Sequence, residues 1–305
     1  MAAMSKILYD KPAITIADQI QKLEDRGMII SDHTDAELKL KTISYYRLSG
    51  YWHPFRIRGL NGVENKFRPG TQFSEIIKIY KFDSRLRTLI LDAIENVEIA
   101  VRTRFAYHIG HTYGAFGHVD NDTFHIGFNH TEWIDKVRSD TERSQDIFIQ
   151  HFQGNYEGFP DIPIWMLTEV ISLGGLSHGF RGLNSYDKIP IADYFHIHYR
   201  ALVDWLHTLT YVRNICAHHG RLWNREIAIK SGSIKDMRWQ PPLTPRNDRI
   251  FFVLLMLKQL LKYSSDSQNN WKSKIESIMV DMEQNSQHLQ SMGIPKNWKE
   301  HPLWK

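Results

Sequence analysis

Residues 74–111 read SEIIKIYKFDSRLRTLILDAIENVEIAVRTRFAYHIGH, and this stretch decides the fold class. Its apolar residues recur mostly three or four positions apart and form a nearly continuous stripe: Ile76, Ile77, Tyr80, Leu86, Leu89, Ile90, Ala93, Ile94, Val97, Val101 and Phe105. Side chains at that spacing lie on one face of an α-helix. The stretch therefore predicts one long helix from Ser74 to about His111.

The sequence on either side of this stretch also predicts mainly helix. Thr15 is a candidate N-cap for a helix that Gly27 ends, and a second short helix is expected over Asp35–Ile43. Asn61-Gly62 lies between short apolar pieces, which indicates a small β-hairpin. Further single helices are expected over Thr131–Arg138, Gln145–Phe152, Arg249–Tyr263 and Asn270–Met292. Another is expected over Trp165–Leu173, with its end at Gly174-Gly175. The range Ile189–Trp223 is expected to hold one or two helices.

These elements predict a mainly α protein in three parts. N-terminal helices and the hairpin occupy 1–73, a helical core occupies 74–226, and C-terminal helices occupy 227–305. A polar, proline-containing surface loop is expected at 226–248, and the C-terminal helices are expected to pack on the core as one compact unit. The chain shows no internal repeat and no alternation of strands with helices, which excludes solenoid and parallel-sheet folds.

The composition excludes several classes of protein. Of the 305 residues 42% are hydrophobic and 24% are charged, which is typical of a globular protein, and the net charge is only +4. The single cysteine, Cys216, excludes a disulfide framework and a cysteine-based zinc site. The longest apolar run, Ile250–Leu257, is far shorter than the roughly 20 residues of a membrane span. The N-terminus has no apolar signal core, so we expect a cytoplasmic protein without a membrane partner.

Residues 211–219 read YVRNICAHH and carry the most informative polar side chains. Arginine binds phosphate through a fixed fork of donors, and histidine exchanges a proton near neutral pH. Arg213 with the neighbouring Asn214, followed by His218 and His219, therefore suggests metal-free cleavage of a phosphodiester. Seven Arg–His pairs in the chain have four to six intervening residues, so the spacing alone does not identify which pair forms a site.

The geometry of a helix limits this interpretation. Residues five apart differ by about 140° in direction, so Arg213 and His218 converge only where the helix end is distorted or a second motif faces the first. Arg102 with His108 is the natural partner within the chain, and a homodimer is the other arrangement. The structural alternative is a core histidine next to a surface arginine.

Two other patterns are weaker. Residues 175–179 read GLSHG and fit the nucleophile elbow G-x-S-x-G, but that motif requires a strand–turn–helix, and here a turn between two helices is expected. His196 and His198 with Asp193 could ligate a metal, yet the spacing matches no established metal motif. We therefore expect neither a hydrolase elbow nor a metal site, and no cofactor.

Several motifs in fixed order resemble one family over about residues 11–226. They are Lys11-Pro12-Ala13 with Asp18-Gln19-Ile20, the segment Ile43–Trp52 (ISYYRLSGYW), Tyr80–Asp83 (YKFD), Pro163–Met166 (PIWM) and Tyr211–His219. Together they resemble the bacterial abortive-infection (Abi) proteins of the AbiD/AbiF type, which are grouped with the HEPN superfamily. This resemblance implies a HEPN-like helical bundle with an N-terminal helical and hairpin extension and further C-terminal helices.

The resemblance also implies a function. The HEPN signature is an arginine, a polar residue, a short gap and a histidine, and Arg213, Asn214 and His218 match it position by position. Arg102 and His108 resemble a looser second signature, in which Thr103 replaces the preferred Asn or His. The implied function is a toxin-like ribonuclease role in phage defence, with RNA as substrate or bound partner and a small RNA or an antitoxin as a candidate further partner.

The combined prediction is a metal-independent endoribonuclease that uses the RNA 2′-hydroxyl as nucleophile. Arg213 would hold the phosphate, Asn214 would orient it, and His218 would transfer a proton. His219, Arg102 and His108 are candidate supporting residues, and Arg104, Arg221 and Arg225 are candidate RNA-binding residues. The alternatives are a non-catalytic protein that binds RNA or a partner on the same scaffold, and a metal hydrolase.

Overall fold

The protein was analysed as a computed structural model, which describes residues 8–10, 12–59, 62–232, 234–244, 246–264, 268–283 and 286–305. These residues form thirteen α-helices and one two-stranded sheet, which confirms the prediction of a mainly α fold. The chain divides into two compact units, Met1–Phe82 and Asp83–Lys305. The three-part division at residues 73 and 226 remains a prediction.

The first unit contains three short helices and the hairpin. Helix α1 (Ile16–Asp25) begins with the expected cap, because Thr15 and Asp18 bond each other's backbone N–H groups in a capping box. Helices α2 (His33–Ile43) and α3 (Tyr45–Trp52) follow. Strands β1 (Arg56–Gly59) and β2 (Gly62–Phe67) pair antiparallel, which confirms the hairpin, while residues 60–61 of its turn lie outside the described residues.

Helix α4 (Phe73–Tyr113) is the long helix expected from the apolar stripe. In the part of α4 that belongs to the second unit, from Asp83 onward, Leu86, Ile90 and Val101 are fully buried, as the spacing predicts. The helix runs two residues past the predicted end and stops before Gly114, where the backbone φ is 83°. The loop after the helix therefore begins at Gly114.

Five helices follow: α5 (His130–Arg143), α6 (Ile147–Asn155), α7 (Ile164–Val170), α8 (Leu173–Gly182) and α9 (Ser185–Tyr194). The predicted helix end at Gly174-Gly175 is wrong. Helix α7 ends at Val170, and Ser172 caps α8 by accepting the N–H of Gly175 at 3.1 Å. Both glycines thus lie in the first turn of α8, and the predicted turn between two helices at residues 175–179 is wrong as well. Ser177 is buried within that helix and is no nucleophile elbow.

Helix α10 (Tyr199–Ala217) packs against α8 and α9 through buried residues such as Leu202, Leu206 and Leu209. The described residues of 226–248 form the expected loop, although Trp239 within it is buried. Helix α11 (Ile250–Leu261) is buried on almost every side, and α12 (Gln268–Glu283) and α13 (Ser286–Gln290) occupy the range expected for one last helix. Among the described residues no helix has both the length and the apolar character that crossing a bilayer requires.

Candidate active site

Helix α10 ends within the YVRNICAHH segment, and its end is distorted. The N–H of His219 donates to the carbonyl of Cys216 at 3.0 Å, and the N–H of Gly220 donates to the carbonyl of Ile215 at 2.7 Å. These two bonds form a Schellman motif, whose residue after the cap is usually glycine in the left-handed region. Here that residue is His219, with φ 56°, which costs roughly 1 kcal/mol relative to glycine. A Cβ at Gly220 would come within 3.0 Å of Ile215, so the next position requires glycine.

Three predicted site residues lie on the exposed surface of this helix end. The side chains of Arg213, Asn214 and His218 are all exposed, and Nη1 of Arg213 donates to Oδ1 of Asn214 at 3.4 Å. The N–H of His218 donates to the carbonyl of Asn214 at 3.0 Å, so these two residues are one helical turn apart. The hydrogen bond therefore brings the guanidinium towards the face that carries His218.

The loop after the histidines is held by a buried carboxylate. Asp83 is completely buried and accepts the backbone N–H of Trp223 at 2.7 Å and that of Leu222 at 3.2 Å. The same carboxylate pairs with Arg87, which is 5% exposed, at 2.6 Å. Hydrogen bonds to an ionised group in a dry interior are strong. This pair on α4 therefore fixes the path of the chain immediately after His218 and His219.

Sequence reasoning did not identify Asp83 as a site residue. Its signal was nevertheless present, because Asp83 and Arg87 are four residues apart and lie within the apolar stripe of α4. Charged residues are seldom fully buried unless they are paired, so an Asp and an Arg at that spacing on a buried face indicate an ion pair.

A family model for an Abi-like protein matches residues 38–224, which is more than half of the chain. The chain belongs to the Abi-like protein family. This confirms the resemblance to abortive-infection proteins, and membership indicates a role in phage defence by abortive infection. Searches of curated proteins and of solved structures gave no match. The AbiD/AbiF type and the HEPN superfamily remain predictions.

The second motif of this Abi-like protein lies farther along α4 than the Asp83 contact. Asp83 lies beside residues 222–223, and Arg102 is 19 residues farther along the same helix, or about 28 Å. His108 is about 37 Å from Asp83 by the same rise per residue. No hydrogen bond or ion pair joins Arg102 or His108 to Arg213 or His218 among the described residues, and the arrangement in which the two motifs face each other within one chain stays a prediction.

Arg102 has structural partners. It pairs with the carboxylate of Glu98 one turn earlier and donates to the backbone carbonyl of Thr168 near the end of α7. The side chains of Arg102 and Glu98 are only 13% and 17% exposed. Arg102 thus links α4 to α7, and its guanidinium is already occupied.

His108 belongs to a separate cluster around the buried carboxylate of Asp187. Its Nε2 lies 2.8 Å from Oδ1 of Asp187, which is 1% exposed, and the hydroxyl of Tyr113 donates to the same carboxylate at 3.0 Å. Burial, followed by the bond to Asp187, raises the pKa of Tyr113 far above its usual range. These bonds fasten the end of α4 to α9.

The predicted RNA-binding arginines are in two places. The guanidinium of Arg104 lies 3.5 Å from the ring centre of Tyr194, a cation–π contact, at the same end of α4 as His108. Arg221 and Arg225 follow the histidines in the chain and are both half-buried, and Nη1 of Arg225 donates to the carbonyl of Arg221 at 3.0 Å. Only the latter two lie close in sequence to the candidate site.

The candidate metal ligands have other contacts. His198 caps α10 through an N–H bond from Arg200, and the ring of His196 stacks on Tyr263 with centres 4.7 Å apart. In the part of the chain that the structure describes, no three His, Cys, Asp or Glu residues are grouped as a metal site requires.

Proposed function

We propose that this Abi-like protein is a metal-independent endoribonuclease of abortive-infection phage defence. The observation that carries the proposal is the end of α10, where the Arg213–Asn214 hydrogen bond directs a guanidinium towards the face of His218. Among the described residues, no carboxylate pairs with Arg213, whereas Arg102 and Arg87 both have one. Of these three arginines, Arg213 is therefore the one that can bind a phosphate without first losing an ion pair.

The mechanism follows from the chemistry of these groups. A neutral imidazole at His218 removes the proton from a ribose 2′-hydroxyl, whose oxygen then attacks the adjacent phosphorus. The bond from phosphorus to the 5′-oxygen breaks, and that oxygen takes up a proton. The products are a 2′,3′-cyclic phosphate and a 5′-hydroxyl, so the substrate is RNA rather than DNA. Arg213 offsets the charge on the phosphoryl oxygens, and the Asn214 amide donates to the same group.

The second proton carrier is His219 or a histidine of a second copy of the chain. Within one chain, Arg102 already pairs with Glu98, and His108 already bonds Asp187. His219 is next to His218, and its left-handed backbone directs its side chain differently from that of a helical residue. In a homodimer two α10 ends would face each other, and each would supply one histidine.

The test is to incubate the purified full chain with single-stranded RNA in EDTA. We expect cleavage with cyclic phosphate ends, and we expect Arg213→Ala and His218→Ala each to lower the rate by roughly 10²-fold or more. Arg143→Ala and His151→Ala are matched controls, since both residues are exposed on other helices. RNA binding without cleavage, equal in all variants, would instead identify a non-catalytic binding protein, and activity lost in EDTA would identify a metal hydrolase.

His219→Gly separates the two roles of His219. Glycine keeps the left-handed backbone of the Schellman motif, so the helix end is preserved while the imidazole is removed. A lower cleavage rate would assign proton transfer to His219, and an unchanged rate would assign the second proton carrier to another group. In bacteria, expression of the wild-type chain should arrest growth while His218→Ala should not, and an antitoxin or small RNA that restrains the protein should relieve the arrest.

A further inference from the structure

A cavity of about 500 Å³ lies at the opposite end of α10 from Arg213 and His218. Its wall combines the segment 196–198, the first turns of α10, the loop residues 232, 234–236, 238 and 239, and Gln259 of α11. Trp205 is the lining residue of α10 nearest to Arg213 in sequence, and it precedes Arg213 by eight residues, or about 12 Å along the helix. The volume falls within the range of small-molecule sites, roughly 300–1,000 Å³.

Two tryptophans form an aromatic wall of this cavity. Trp205 is 1% exposed and Trp239 is 8% exposed, and their rings are 4.8 Å apart at an angle of 49°. The indole N–H of Trp205 is buried and has no acceptor among the described residues. A buried donor without an acceptor is unfavourable, so a ligand that supplies an acceptor gains binding energy here.

The lining of the cavity carries three cations, Arg200, Lys235 and Arg238, against the two carboxylates of Asp204 and Asp236, which leaves one excess positive charge. Arg238 is paired with Asp236 at 2.8 Å, and Asp204 accepts the N–H of Gly232 at 2.8 Å. Arg200 and Lys235 are exposed, and among the described residues neither forms an ion pair with a carboxylate. Two cations are therefore available at the mouth of an aromatic cavity.

The backbone around the mouth is also unusual. His196 has φ 51°, a left-handed conformation that costs a non-glycine residue free energy, and its ring is stacked on Tyr263. His198 caps α10, whose N-terminal end adds a partial positive charge to this side of the cavity. Strained residues concentrate at ligand sites, and the helix dipole favours an anion.

We propose that this cavity binds a nucleoside phosphate, with its base against the Trp205–Trp239 wall and its phosphate between Arg200 and Lys235. A planar base fits an aromatic surface, a ring nitrogen or carbonyl of the base accepts the Trp205 N–H, and the two exposed cations match a phosphate. The same chemistry is present in a free nucleotide and in a terminal nucleotide of an RNA strand. The site is separate from the cleavage site and does not depend on the proposed ribonuclease activity.

Calorimetric titration of the full chain with AMP, ADP and ATP tests the proposal. Adenosine, which lacks the phosphate, and inorganic phosphate, which lacks the nucleoside, are titrated for comparison as half-ligands. We expect a nucleotide to bind, and each half-ligand to bind more weakly. Arg200→Ala and Lys235→Ala should each weaken nucleotide binding by about tenfold, as expected for one charge-assisted hydrogen bond to phosphate. Both residues are exposed, so their loss should leave the fold intact, and Arg143→Ala is the control for loss of one surface charge.

A second titration distinguishes the two sources of the ligand. A short 2′-O-methyl RNA with a 5′-phosphate cannot be cleaved through its 2′-oxygen, and binding tighter than that of AMP would identify an RNA end as the ligand. Tighter binding of the free nucleotide would identify a small molecule. Nucleotide binding should persist in Arg213→Ala, because that residue is at the other end of α10. Absence of nucleotide binding, or affinities unchanged in both cavity variants, would overturn the proposal.

Discussion

Asp83→Asn should destabilise the protein strongly. The substitution keeps the shape of the side chain but removes its charge from a site with no exposure to solvent. It also places an amide NH₂ among three donors, namely the Arg87 guanidinium and the N–H groups of Leu222 and Trp223. An amide oxygen can still accept some of these bonds, but it cannot replace the ionic contact.

The size of the effect follows from those contacts. Breaking a buried ion pair by neutralising one member costs about 3–5 kcal/mol. A backbone N–H that loses its acceptor in the interior adds about 1–3 kcal/mol. We therefore expect the free energy of unfolding to fall by about 4–8 kcal/mol, a large share of the roughly 5–15 kcal/mol that stabilises a typical domain.

The assay is urea-induced unfolding followed by tryptophan fluorescence. Asp281→Asn is a matched control. Asp281 pairs at 3.4 Å with Arg85, which lies on α4 like Asp83, and both side chains of this pair are about two-thirds exposed. An exposed pair contributes about 0–1 kcal/mol, so this variant should unfold almost like the wild type. Equal losses in the two variants, or a loss below about 1 kcal/mol for Asp83→Asn, would refute the role assigned to the buried carboxylate.

Three further predictions concern other parts of the fold. Burial lowers the pKa of His118 to about 4. The free energy of unfolding should therefore have its full value above about pH 6.5 and should fall by up to about 3 kcal/mol as the pH drops towards 4. His118→Asn should flatten this dependence in urea titrations at several pH values. Gly179→Ala should cost about 1–3 kcal/mol, because its Cβ would lie 2.7 Å from Trp133, whereas Gly154→Ala, with open space around it, should raise the thermal midpoint. Burial raises the pKa of Cys216 to about 12, so iodoacetamide should alkylate this thiol only after unfolding, and rapid labelling of the native chain would contradict that burial.

The sequence predicted the elements whose signals are local. The stripe of α4 and the Thr15 capping box depend on residues a few positions apart, and both were placed within about two residues of the observed bounds. The break between α7 and α8 was misplaced because Gly174-Gly175 looked like a helix stop. The glycines are tolerated in α8 through tertiary contacts, since the indole N–H of Trp133 donates to the carbonyl of Gly175 at 3.0 Å. A contact between residues 42 positions apart leaves no local signal.

The candidate site was predictable in part for the same reason. Arg213, Asn214 and His218 are close in sequence, so their pattern was visible, and the need for a distorted helix end was foreseen. The Asp83 contacts to residues 222 and 223 required the folded structure. The ion pair of Arg102 was also missed, although Glu98, one turn before it, was an available partner in the sequence.

The Asp83 contacts also determine when this protein can become functional during its synthesis. Asp83 and the backbone groups it holds are 139 and 140 residues apart in the chain. A ribosome that makes this protein must therefore release residue 223 from its exit tunnel before the loop behind the histidines can be fixed. A nascent chain that stops earlier carries Arg213 and His218 without the buried carboxylate contact, so the order of translation itself delays assembly of the site.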